Sequence, residues 1–156
     1  MEKIIKQNTG IDVSMGTFWA TITVLTSLYE VKHLQSNEFD NTPSGYKQLM
    51  QWMQEANLAI TGWRFTMEAT GVYYEHLANF LFAQNHTVHV ALPNRAKKFA
   101  ESLDVKSKTD KLDSRSLGTF GIERKLRDWQ PAKPVFKAIK GLTRERSNLI
   151  QIRTQF

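Results

Sequence analysis

Two apolar, β-branched runs in this chain each stop at a carboxylate followed by small, turn-forming residues, and that pattern leaves few folds open. Asp12 stands in Gly-Ile-Asp-Val-Ser and Glu68 in Met-Glu-Ala-Thr-Gly. At such a place a strand delivers a side chain to the edge of a sheet. Farther on, Asp110 and Asp113 in Lys-Thr-Asp-Lys-Leu-Asp are three apart, so on a helix they share one face. Four carboxylates brought together cannot all stay ionised without a cation, and hard oxygen ligands suit Mg²⁺ or Mn²⁺. The chain therefore reads first as a divalent-metal site acting on phosphates.

The order of the remaining patterns frames those acids. Lys3–Val13, Thr17–Leu25 and Glu30–Phe39 are rich in β-branched and aromatic residues and predict an antiparallel meander. After Asn41-Thr42-Pro43-Ser44-Gly45, the residues Tyr46, Leu49, Met50 and Met53 recur at helical spacing as far as Asn57. Trp63–Ala69 predicts a strand, Val72–Gln84 a helix and Thr87–Leu92 another strand stopped by Pro93, a unit that implies parallel pairing. Asn94–Leu103 predicts a helix, and a further helix begins near Thr109, a suitable N-cap, and ends around Arg127. The expected organisation is a domain over 1–128, a proline-containing linker over 129–134 and a helix over 135–156. In that last helix Val135, Leu142, Leu149 and Phe156 fall seven apart, with Ala138 and Ile152 at the offset-three positions, a short coiled-coil pattern broken at Glu145. An ordinary amphipathic helix packed on its own domain fits the same spacing.

Charge divides the chain. Residues 1–105 hold 8 Lys+Arg against 10 Asp+Glu, net −2, while residues 106–156 hold 13 against 5, net +8. A basic last third points to a polyanionic partner, DNA or RNA rather than a membrane; a solvated helical face is the plainer reading. The expected contacts are Lys106, Lys108, Lys111 and Arg115 near the acids, then Arg124, Lys125, Arg127, Arg144, Arg146 and Arg153. With no cysteine, no signal peptide and no apolar run long enough to span a membrane, the expected compartment is the cytoplasm, beside the nucleoid.

Each acid also has a plain explanation. Asp12 can cap a turn with Ser14, Glu68 can sit at a strand edge, and Asp110 and Asp113 suit the first turn of a helix, where the dipole favours negative charge. Together, however, an acid on the first strand, one on a later parallel strand and two on a C-terminal helix follow the order of a ribonuclease-H-like α/β fold. Other chemistry is thin: His86 and His89 fall on opposite faces of one strand with no further ligand nearby, and no phosphate-loop motif occurs.

Gly10-Ile11-Asp12-Val13-Ser14, Met67-Glu68-Ala69-Thr70-Gly71-Val72-Tyr73 and Lys108-Thr109-Asp110-Lys111-Leu112-Asp113 resemble, in order and spacing, the N-terminal domain of the DEDD transposases. These are insertion-sequence recombinases related to the Piv and MooV invertases, some of them guided by a bridge RNA. The resemblance covers nearly the whole chain. It implies a RuvC-like mixed sheet flanked by helices, with Asp12, Glu68, Asp110 and Asp113 as the catalytic Mg²⁺ or Mn²⁺ ligands. It further implies DNA and a guide RNA as partners, and a coiled-coil helix from Val135 through which the chain forms a homo-oligomer. Ser114 stands where the family usually has alanine. The family also carries a C-terminal domain whose serine acts as nucleophile; that domain is expected to be missing here, so the fragment alone is expected to be inactive in strand exchange.

Two other functions compete with a catalytic transposase domain. A nucleic-acid-binding module would use the basic residues and leave chemistry to another domain. An actin-like ATPase shares the Gly-Ile-Asp-Val-Ser and hairpin pattern, but that two-lobed fold needs a far longer chain and a second phosphate motif.

Overall fold

The computed structural model describes residues 2–60, 62–103 and 110–154. Five strands form one mixed sheet. The meander comes first: β1 (Ile4–Val13), β2 (Thr17–Thr26) and β3 (Val31–Asp40) pair antiparallel. Ser14 makes the first turn, with its amide and hydroxyl both donating to the Thr17 carbonyl at 2.9 and 2.8 Å. Tyr29, at φ 60°, makes the second.

Helix α1 (Pro43–Glu55) starts where Thr42 accepts a hydrogen bond from the Gly45 amide at 3.1 Å, with Pro43 in the first turn, where no amide is needed. Then β4 (Arg64–Glu68), α2 (Glu75–Ala83) and β5 (Thr87–Ala91) form the parallel unit, and Asn85, at φ 63°, turns the chain out of α2. The sheet order is β3-β2-β1-β4-β5, with β4 parallel to both β1 and β5. Pro93 begins α3 (Pro93–Ser102), and α4 (Asp110–Glu123) and α5 (Pro134–Thr154) follow.

Two differences from the sequence expectation concern the C-terminal third. Helix α4 stops at Glu123, not near Arg127. Trp129, expected in the linker, donates its amide to the Val88 carbonyl at 2.7 Å and sets its ring edge-on to Phe82. Helix α5 has exposed residues from Pro134 to Arg153, and is tied to α2 by Lys140 and Arg144, 3.5 and 3.2 Å from the Glu75 carboxylate.

The core lies mainly on one face of the sheet. Ile11, Phe18, Ala20, Ile22, Val24, Phe65 and Met67 point there and are covered by Leu49 and Met53 of α1 and Leu77 and Leu81 of α2. Full burial of each large side chain contributes about 1.5–3 kcal/mol.

The opposite face is made differently. Asn8, Thr21, Thr23, Thr66 and His89 are buried there beneath α4, together with Gly10. A Cβ on Gly10 would overlap the backbone of Ser114 and Gly118, one on Gly118 would strike Thr23, and one on Gly121 would strike Asn8 and Thr66. The three glycines let α4 lie directly on β1, β2 and β4. Asn8 donates to the Leu117 and Gly118 carbonyls at 3.3 and 2.9 Å and accepts from Thr66 at 3.0 Å, while the Thr21 and Ser114 hydroxyls meet at 2.7 Å.

Candidate metal centre

Asp12 and Glu68 occupy matching places on neighbouring parallel strands. The β1–β4 register pairs Gly10 with Thr66 and Ile11 with Met67, so the next residues, Asp12 and Glu68, stand side by side at the ends of their strands. Strand spacing is about 4.8 Å and in-register side chains share a face, here the face of Asn8 and Thr66 beneath α4. Both carboxylates are half-buried. Trp19, paired with Asp12 on β2, and Glu38, paired with Trp19 on β3, continue the same row outward.

Helix α4 runs back along β1, and the contacts fix its direction. Gly10 meets Ser114 and Gly118, Asn8 meets Gly118 and Gly121, and the Lys6 ammonium donates to the Ile122 carbonyl at 2.7 Å. The first turns of α4 therefore lie toward the Asp12 end of β1. Asp113, half-buried, precedes the Ser114 that touches Gly10, and Asp110 opens the helix. The structure thus brings Asp12, Glu68 and the start of α4 to one end of the sheet. Among the described residues no three acidic or histidine side chains close into a metal-holding group; the side chain of Asp110 lies outside them. Paired half-buried carboxylates with oxygen donors alone are the donor set that Mg²⁺ or Mn²⁺ takes, so the residues present fit such an ion.

The loops behind the two strand ends share one clasp that sequence reasoning missed. The side-chain amide of Asn41 donates to the Ser14 carbonyl and to the Tyr73 carbonyl, each at 3.1 Å, and its oxygen accepts from the Tyr46 hydroxyl at 2.6 Å. The Asn41 backbone amide donates to Gly16 at 2.9 Å. One residue at the end of β3 thereby joins the turn after Asp12 to the loop after Glu68. Its only sequence signal is its place just before the Thr42 cap.

At the far end of the same face sits a cationic cluster. His89 Nδ1 lies 3.1 Å from the Arg127 carbonyl, which can only accept, so Nδ1 carries the proton and Nε2 accepts from the Arg64 guanidinium at 3.0 Å. Burial holds the His89 pKa below its ordinary value, against the opposing pull of the Arg127 carbonyl and the exposed Asp128 carboxylate. The Lys6 pKa is lowered by burial and then by Arg64.

The expected nucleic-acid contacts scatter. Lys106, Lys108 and Thr109, the side chain of Lys111, and Phe156 lie outside the described residues. Arg115 is half-buried, and its charge adds to burial in lowering the His33 pKa. The Arg124 guanidinium lies 5.5 Å over the Phe99 ring, and Arg144 is engaged with Glu75. Lys125, Arg127, Arg146 and Arg153 have exposed side chains.

A profile of the IS110-type DEDD transposase family, described simply as transposase, matches residues 9–156. The pilin gene-inverting proteins of Moraxella bovis and Moraxella lacunata are each 29% identical over 150 residues, covering 94% of this chain and 45% of their own. This chain thus spans less than half the length of those relatives. Among solved structures, Thermus thermophilus RuvC in complex with a Holliday junction superimposes with a TM-score of 0.53 at 8% identity, covering 79% of this chain and 99% of RuvC. The fold is therefore RuvC-like, as the motifs imply. No helix among the described residues is long and apolar enough to cross a membrane.

Proposed function

This chain belongs to the IS110-type DEDD transposase family, and from that premise we propose that it is the metal-dependent catalytic domain of a DNA recombinase acting on phosphodiesters. The observation that carries the reading is the β1–β4 register, whose last pair, Ile11 with Met67, makes Asp12 and Glu68 the next residues on neighbouring strands at the α4 end of the sheet. In this reading Asp12, Glu68, Asp110 and Asp113 hold Mg²⁺ or Mn²⁺. A divalent ion supplies Lewis-acid polarisation of a phosphate oxygen when bound. The chain's own residues hold that charge in place: the two strands set the spacing of Asp12 and Glu68, the glycine seam sets the depth of α4, and half-burial strengthens every charge interaction at the site.

DNA as substrate is supported by the junction-bound RuvC and by the gene-inverting relatives. The resemblance to bridge-RNA-guided members extends the reading to an RNA partner in the whole protein. The attacking hydroxyl is assigned to the length of the relatives that this chain does not span, and not to Ser14 or Ser114. Residues 1–128 form the metal-binding unit, 129–134 the linker, and α5 opens a coiled coil through which the chain forms a homo-oligomer.

The test is a thermal melt with and without Mn²⁺. A ligand that binds only the folded state raises the melting temperature, so Mn²⁺ stabilises the wild type and leaves Asp12→Asn unmoved. An equal rise in both proteins removes Asp12 from the site. Slow metal-dependent hydrolysis of DNA, lost in Glu68→Gln, is the activity expected of the chain alone.

A second reading, a nucleic-acid-binding module without catalysis of its own, draws on the exposed cations of α5, Lys137, Arg146 and Arg153. Retained DNA binding together with no metal response in the wild type favours it.

A further inference from the structure

The first 105 residues hold only 8 Lys+Arg, and three of them, Arg95, Lys97 and Lys98, fall within four consecutive positions of α3. The other cations of this acidic part are largely engaged or dispersed. Lys6 donates to the Ile122 carbonyl, Lys32 pairs with Glu2 and Glu30, and Arg64 reaches His89. Arg95, Lys97 and Lys98 are all exposed, and among the described residues none makes an ion pair, not even with Glu101 one turn away.

No acidic residue of α3 is placed to offset Arg95. The first turn of α3 holds no acidic residue and its last turn no basic one. Arg95 stands in the first turn, at the positive end of the helix dipole, and Lys97 and Lys98 follow in the middle of the helix. The helix is also firmly seated: Ala96 and Phe99 are buried, the Phe99 and Phe120 rings lie 4.8 Å apart, and Arg124 covers Phe99. Anchored on that side, α3 turns Lys97 and Lys98 outward.

Finally, α3 stands beside the acids. The last residue of β5, Ala91, pairs in register with Glu68 and accepts from the Ala69 amide at 2.9 Å, and α3 starts two residues later. Helix α3 therefore begins about one strand spacing beyond Glu68, with Arg95 in its first turn. A polyanion approaching Asp12 and Glu68 meets repulsion there, and cations on the neighbouring helix offset it.

We propose that α3 is a phosphate-contacting helix, presenting Arg95, Lys97 and Lys98 to the backbone of duplex DNA beside the acidic site. The proposal rests on the reading that this chain acts on DNA. It is tested with the intact chain and the triple variant Arg95→Gln/Lys97→Gln/Lys98→Gln, by measuring affinity for a fluorescent duplex over a range of salt. Each phosphate contact contributes about 0.9 to the slope of log affinity against log salt, so the triple variant is expected to lose about 2–3 from that slope. Lys47→Gln, a single exposed cation on α1, is the comparison and should change it by less than about 1.

An unchanged slope in the triple variant overturns the proposal. So does a loss confined to a single-stranded RNA probe measured in parallel, which makes RNA the occupant. Absence of salt-dependent duplex binding in the wild type overturns the DNA reading itself and the α3 surface with it. Should the triple variant melt early, the Lys97→Gln/Lys98→Gln pair, both outward-facing, gives the same test with an expected loss of about 2.

Discussion

The two faces of the sheet hold their helices by different physics. Against α1 and α2 the sheet presents Ile11, Phe18, Ile22, Phe65 and Met67, and the attraction scales with area. Against α4 it presents glycine, threonine and asparagine, so that backbone meets backbone and hydrogen bonds fix the helix. Area is tolerant of position, because a hydrophobic contact has no direction. Close approach and hydrogen bonds are not. The face that carries Asp12 and Glu68 is the one built for position, as a site requires when geometry must hold within a fraction of an ångström.

The sharpest way to break this contrast is one substitution on each face. Gly10→Val puts a branched side chain where the backbone of Ser114 and Gly118 lies, and neither can withdraw without lifting α4. A loss above about 3 kcal/mol is expected in urea unfolding, with the Mn²⁺ response abolished. Leu49→Ala on the opposite face should cost about 2–5 kcal/mol yet leave the Mn²⁺ response of the remaining folded protein intact. If Leu49→Ala removes metal binding as thoroughly as Gly10→Val does, the division between the faces is wrong.

A smaller effect separates the clasp from both. Asn41→Leu removes donors to Ser14 and Tyr73 while keeping the branched side-chain shape, and should cost about 1–2 kcal/mol. Its Mn²⁺-induced rise in melting temperature should fall more than that of Leu49→Ala, although Leu49→Ala is the less stable protein. Equal rises would reduce Asn41 to an ordinary loop contact.

The smallest expected effect is a pH dependence centred on the α4 face. His33 and His89 have pKa values held below 6.5, chiefly by burial, and His86 on the other face shares that direction. A depressed histidine means the unfolded chain takes up protons that the folded chain refuses, so stability is full above pH 6.5 and falls as the pH drops below it. Replacing His89 with asparagine should make that decline shallower, read as urea midpoints between about pH 7 and 5. A decline of the same steepness would assign it to other groups.

Much of this arrangement was legible in the chain itself. The strands match the β-branched runs to within a few residues, because alternation and turn residues are local signals, and Asp12 and Glu68 fall at strand ends as their flanking residues imply. What escaped was tertiary. Gly118 and Gly121 look like flaws in a helix until β1 is seen beneath them, and the end of α4 at Glu123 follows from the path that carries Trp129 back to Val88. Arg115 reads as a phosphate contact near the acids, and its half-burial has no signal in the sequence. The cations of α3 were overshadowed by the larger charge of the last third.

Missing atoms also give α4 an address. A helix resting on a greasy stripe has many nearly equivalent seats and can creep along it, whereas the two absent methyl groups of Gly118 and Gly121, facing Gly10, Thr23, Asn8 and Thr66, define a single notch. Sliding by one turn, about 5.4 Å, would drive Leu117 in one direction or Ile122 in the other into that notch. Helix α4 therefore has no graded travel: it is seated or it is lifted. Whatever signal in the whole protein were to switch the acidic site through this helix would work as a latch, with two positions and nothing stable between them.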